Sequence, residues 1–136
     1  MDYTLREHTA DVAVEATGET LGEAFAATAN GMAAAMCDEW PADGSRSELT
    51  VAAENREALL FDYLDELIYE RDVRSVLPVD NRGVVSERTD DWVFSGSYRG
   101  VPLERVTARD LKAVTYSEMH ISFERGNWRT YVVFDV

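Results

Sequence analysis

His8, Asp11, Lys112, His120 and Asp135 are the residues of this chain whose types and surroundings could support chemistry. Asp135 follows the apolar run Val132-Val133-Phe134 and precedes only Val136, so an acid and a terminal carboxylate leave an apolar strand together. If that strand lies beside the one beginning at Asp11, the carboxylates of Asp11 and Asp135 and an oxygen of Val136 form an all-oxygen cluster. Hard divalent cations take such ligands, which points to calcium, magnesium or manganese in preference to zinc. A plainer reading has Asp11 capping a turn and Asp135 exposed at a frayed end.

Lys112 stands out by composition. The chain carries 26 acids against 13 bases, a net charge of -13, and Lys112 is the only lysine among those bases. Arginine serves equally well as a surface charge, so one retained lysine suggests a task for a compact ammonium group. The alternative is a solvated lysine, or one paired with the neighbouring Asp110. His8 and His120 read first as ordinary histidines, with metal ligation or proton transfer as the less common use.

Several classes are excluded or disfavoured. The sequence has no GxxxxGK loop, no GxSxG elbow and no HExxH, so a nucleotide-using enzyme of a common class is not expected. The acid excess repels phosphate backbones and argues against direct, non-specific nucleic-acid binding. With lysine so scarce, it also has the character of a surface adapted to a high-salt cytoplasm, where screening reduces self-repulsion. Cys37 is the single cysteine, so no intramolecular disulfide can form and a reducing cytoplasm is expected. It reads as a small apolar residue near a helix end. No apolar run approaches the roughly 20 residues that span a bilayer, and "MDYTLREHT" does not read as an export signal.

The elements that would position these residues can be read in order. A chain of 136 residues suits one domain over 1–136. Val12, Val14 and Ala16 alternate with more polar neighbours as in a half-buried strand that stops at Gly18. Thr20-Leu-Gly-Glu23 is a capping box, and a helix with Leu21, Phe25, Met32 and Met36 on one stripe follows it. Its Asn30 and Gly31 are weak formers, and the stripe reads as core packing. Residues 37–45 form an acidic surface loop, and "ELTVAA" a short strand. Asn55 caps a second one-sided helix through "REALLFDYLDELIYERD". From residue 76 onward "SVLPVDN", "GVVSE", "DWVFSGSYRG", "LKAVTYSEMHISFE" and "WRTYVVFDV" read as strands, with a tight hairpin at "GNW". The expected architecture is α+β, two helices packed on one mainly antiparallel, mixed sheet.

These segments resemble the archease family. "HTADVAVEATGETLGEAFAATANGM" is similar to its opening, "ENREALLFDYLDELIYERD" to its second helix, "LKAVTYSEMHI" to its Lys-Ala-Val-Thr-Tyr segment, and "WRTYVVFDV" to its acid-ended C-terminal strand. Archeases are small cytoplasmic accessory proteins that activate RtcB-type RNA ligases, which join the exon halves of spliced tRNA. The ligase is guanylylated on a histidine with GTP and divalent metal, and archease promotes that step and restores turnover. The resemblance therefore implies an activator of an RNA ligase that is not itself an enzyme. It places a metal site, calcium foremost with magnesium or manganese as alternatives, on Asp11, Asp135 and Val136, and a functional lysine on Lys112. His8 and Thr9 are read as orienting the strand start that presents Asp11. Two departures stand out: Ser117 occupies a position where the family often has histidine, with His120 three residues later, and "GVPLERVTARD" lacks the family's frequent Gly-Glu and His pattern. Two other functions compete, a chaperone-like modulator of a tRNA methyltransferase, also suggested for archeases, and a metal-dependent hydrolase centred on Asp11 and Asp135. The hydrolase reading lacks a general base with a recognisable partner.

Overall fold

The computed structural model describes residues 1–7 and 11–136. Strands β1 (Asp2–Glu7) and β2 (Asp11–Gly18) precede helix α1 (Leu21–Met36), strand β3 (Ser45–Ala53) and helix α2 (Arg56–Arg74). Six further elements follow: β4 (Val76–Glu87), β5 (Trp92–Pro102), a 3-10 turn (Leu103–Arg105), β6 (Ala113–Val114), β7 (His120–Glu124) and β8 (Asn127–Asp135). The α+β class and its two helices are as expected. The strands, however, form two sheets instead of one: β1-β2-β8-β6, with β7 also on β8, and β3-β5-β4. Every pairing between described strands is antiparallel, so the parallel component of a mixed sheet is not found among them.

The division follows from α1. It packs on β2 in one sheet and on β4 in the other, and is buried over most of its circumference. The sequence reading made it one-sided; the alanines on its other faces are what let a second sheet approach. Both weak helix formers have packing roles. A Cβ on Gly31 would lie 2.5 Å from a Val14 methyl and 3.2 Å from the Tyr3 ring, so glycine lets the first sheet close on the helix. Asn30 accepts two hydrogen bonds of 2.9 Å, from the backbone N–H and the side-chain amide of Asn81. Asn81 lies in a bulge of β4 between Val79 and Arg82, beside Asp80 with φ of 48°. That bulge fuses the two expected segments "SVLPVDN" and "GVVSE" into one bent strand.

Both caps form as expected. Thr20 accepts from the Glu23 N–H at 3.1 Å, and Asn55 from the Ala58 N–H at 2.8 Å. Glu23 returns to the Thr20 hydroxyl at 3.3 Å, not to its backbone N–H. Phe25, Tyr63 and Phe94 stack at the centre of a core shared by both helices and both sheets, with Tyr63 and Phe94 centroids 4.0 Å apart. Cys37 caps the C-terminus of α1 and is buried. The hairpin between β7 and β8 turns at Arg125 and Gly126, both with positive φ, as a two-residue connection requires. Among the described residues no helix is long and apolar enough to cross a membrane.

Candidate functional site

β2 and β8 pair in the register that sets Asp11 directly opposite Asp135. Residues opposite each other project from the same face of a sheet with Cβ atoms about 4.5–5.5 Å apart, and like charges so placed repel. On the far side of β8, Ala113 of β6 pairs with the same Asp135, and the Lys112 N–H donates to the Asp135 carbonyl at 2.8 Å. Asp11 thus meets Lys112 and Asp135, each more than a hundred positions further along the sequence, at one end of one sheet. Asp135, Val136 and Lys112 are exposed and Asp11 is half-buried.

The segment that delivers Lys112 is fixed from beneath. Leu111 is buried in the core, and its carbonyl accepts from Arg71 Nη1 at 2.7 Å; the same nitrogen lies 3.2 Å from Met36 Sδ. Two residues earlier, the Arg109 N–H donates to the Met36 carbonyl at 2.6 Å and its Nε to the Ala35 carbonyl at 3.1 Å. These are among the carbonyls that an α-helix leaves unpaired at its C-terminus, where a cation is also favoured by the helix dipole. Arg109 additionally pairs with Asp38 at 2.9 Å; that hydrogen bond, and then the guanidinium charge, hold the Asp38 carboxyl below its ordinary range. The backbone before Lys112 is thereby tied to both helices.

Sequence reading did not single out Arg71 or Arg109. Arg71 had left a signal, since it continues the Leu60-Leu64-Leu67 stripe of α2 by four residues onto its buried face. Arg109 left none, because its partners lie some seventy positions away in a turn whose path depends on the whole fold.

His120 does not join the site. It pairs with Tyr131 on β8, four residues from Asp135 and so about 13 Å along the strand, and it is exposed. The expected long strand through His120 is broken by a turn in which the Met119 N–H donates to the Tyr116 carbonyl at 3.1 Å and Glu118 has φ of 59°. His8 and Thr9, assigned the role of orienting Asp11, lie outside the described residues.

The donor chemistry at this end can be set against a cation. Two facing carboxylates offer hard oxygens and have a mutual repulsion that a cation would relieve. Among the described residues, no group of three or more His, Cys, Asp or Glu is placed to hold a metal. Any further ligands would be backbone oxygens, Val136 or water, a set that suits calcium better than zinc.

The model of the archease protein family matches residues 3–136. The chain belongs to the archease family. It is 27% identical over 135 residues to an archease of Pyrococcus furiosus, covering 96% of this chain and 95% of that one. It is 31% identical to an archease of Thermococcus gammatolerans over the same shares of the two chains. Its structure is similar to the solution structure of Methanobacterium thermoautotrophicum protein 1598, with a TM-score of 0.86, 27% identity and 98% of each chain covered. The fold is also that of a Thermotoga maritima archease, described as a possible chaperone, with a TM-score of 0.66 at 22% identity over 96% of this chain and 94% of that one. In this chain the strand register brings Asp11 and Asp135 to the same sheet end as Lys112.

Proposed function

We propose that this archease activates an RtcB-type tRNA-splicing ligase, promoting its guanylylation and multiple turnover from a site built on Asp11, Lys112, Asp135 and Val136. The observation that carries the reading is the cross-strand pairing of Asp11 with Asp135 beside the backbone-anchored Lys112. Asp11 and Asp135, with an oxygen of Val136, would hold a divalent cation, calcium foremost. When bound, such an ion supplies positive charge that can polarise or orient a phosphate oxygen. Lys112, exposed beside them, is free to pair with a phosphate of GTP or with an acid of the ligase, as a compact cation does. The net charge of -13 supports docking on a basic, RNA-binding partner, because complementary charge speeds encounter.

The test is multiple-turnover ligation by the RtcB-type ligase of the same organism, with and without this chain, at fixed salt. Wild type should stimulate it, and Asp11→Ala and Lys112→Ala should not. Lys112→Ala should stay within about 0.5 kcal/mol of wild-type stability, since an exposed charge contributes little. No stimulation of a competent ligase would overturn the reading. Attention would then move to a chaperone-like role toward a tRNA methyltransferase, read out as a change in that enzyme's solubility or specificity.

A further inference from the structure

The solvent side of α2 is not the uniformly polar face that an amphipathic helix normally turns to water. At about 100° per residue, Phe61, Asp62, Asp65, Glu66, Tyr69 and Val73 fall within one arc of about 140°, and the buried residues of the helix occupy the remainder. Tyr69 is 57% exposed and Val73 60%. Tyr116, 54% exposed on the turn between β6 and β7, stacks on Phe61 with centroids 4.2 Å apart and planes within 10°. Phe61 is half-buried and packs against the core, whereas the Tyr69 and Tyr116 rings are mostly exposed.

The charges between these apolar groups are all of one sign. Asp62 and Asp65 are three positions apart and Asp62 and Glu66 four, spacings at which like charges destabilise a helix. The helix's arginines, Arg56, Arg71 and Arg74, all lie outside the arc. The crowding is felt locally. Burial and then Asp65 push the Asp62 carboxyl above its ordinary value, and burial, Glu70 and Asp65 do the same to Glu66. Burial, followed by the charges of Asp62 and Glu54, also raises the Tyr116 hydroxyl. Among the described residues no ion pair engages Asp62, Asp65 or Glu66, so the helix bears their like-charge cost between its apolar groups. Cations gain from both components, through ion pairing and through the faces of the rings.

We infer that this arc of α2, with Tyr116 on its flank, is the docking surface for a basic segment of a partner protein, whose arginine or lysine heads lie over the Phe61–Tyr116 stack and among Asp62, Asp65 and Glu66. The inference rests on the accessory role proposed above and names the surface that holds the partner while the Asp11–Lys112–Asp135 end acts. Tyr116 follows Lys112 by four residues, so the docking surface and the acting end share one stretch of chain.

Two measurements test it. In the first, hexa-arginine peptide is titrated into the isotopically labelled chain while backbone amide shifts are followed. Shifts concentrated on residues 61–73 and 116, and lost in Asp62→Asn/Asp65→Asn, are expected; shifts spread evenly over the acidic surface, or concentrated elsewhere, would overturn the assignment. The second is the dependence of ligase stimulation on the concentration of this chain. Asp62→Lys/Asp65→Lys should raise the half-maximal concentration at least tenfold and leave the plateau intact, and Tyr116→Ala should raise it severalfold while Tyr116→Phe does not. Unchanged half-maximal concentrations in variants that unfold like wild type would overturn the docking surface and leave the accessory role standing. A ligase that wild type never stimulates would overturn the accessory role, and the peptide titration would still decide the surface.

Discussion

The two ends of β8 are held by different means. At its start, Trp128 packs against Phe123 with centroids 5.1 Å apart, and the Arg56 guanidinium lies 5.4 Å from the Trp128 ring and 5.9 Å from that of Trp92. One arginine thus ties the hairpin, the start of α2 and the second sheet together through side chains. At its finish, Asp135 is placed by strand register and by the Lys112 N–H, and no ion pair among the described residues engages Asp11, Lys112 or Asp135. The contrast shows a division of labour. Apolar and cation–π contacts stabilise the hairpin end, which leaves the side chains at the other end free to carry charge for a partner or an ion.

If that division is right, damage at the two ends should have opposite signatures. Trp128→Ala should have the largest effect on stability, a loss of about 2–4 kcal/mol, lower than the range for a fully buried aromatic because the ring is half-buried. It should nonetheless stimulate the ligase at temperatures where it remains folded. Denaturant unfolding at constant salt, paired with the ligation assay, reads both. A stable Trp128→Ala that no longer stimulates would break the comparison.

Arg71→Ala comes next and links the two regimes, because a buried side chain here serves the exposed end. Loss of its charged hydrogen bond to the Leu111 carbonyl should cost about 1.5–3 kcal/mol. It should also lower stimulation below that of Trp128→Ala at equal folded fraction, since the segment before Lys112 loses its anchor. Equal stimulation by the two variants at matched folded fraction would show that Lys112 needs no such support.

These expectations also show what the sequence disclosed. Caps, helix extents and the hairpin turn are local, and Thr20, Asn55 and Gly126 announced them. The candidate acids stood out because an aspartate closing an apolar strand is conspicuous, and the expected neighbouring of the two strands is found, with Asp11 opposite Asp135. Three features were not legible. β1 has the mixed composition of an edge strand and gives no periodic signal. The second sheet depends on α1 being buried on both sides, and its alanines suit a solvent-facing helix equally well. The break in "LKAVTYSEMHISFE" coincides with Tyr116 stacking on Phe61, a contact across 55 positions that no local pattern encodes.

A smaller effect is expected from the facing carboxylates themselves. In chelator, Asp11→Asn should be as stable as wild type or more so, by up to about 1 kcal/mol, because it removes a like-charge cross-strand pair. Calcium at ten times its dissociation constant should then stabilise wild type by about 1.4 kcal/mol and leave Asp11→Asn unmoved. Thermal unfolding with and without the ion checks both halves. A destabilised Asp11→Asn in chelator would mean that this end, too, is held by its side chains.

The smallest effect separates the exposed arc of α2 from both ends of β8. Asp62 and Glu66 have raised carboxyl pKa values in the folded chain, so the native state keeps their protons to higher pH than the unfolded state does. The folded state therefore loses stability as pH rises through the ordinary carboxylate range and above it, until both groups are ionised in either state. Asp62→Asn removes one of these groups and relieves Asp65 and Glu66 of a like charge. It should gain about 0.2–0.5 kcal/mol at neutral pH in low salt, no gain below the carboxylate range, and less gain in molar salt, where screening weakens the repulsion. Unfolding free energies at two pH values and two salt concentrations suffice. A loss of stability at neutral pH would mean that Asp62 already has a favourable partner within the fold and is not an unmet charge offered to a basic segment.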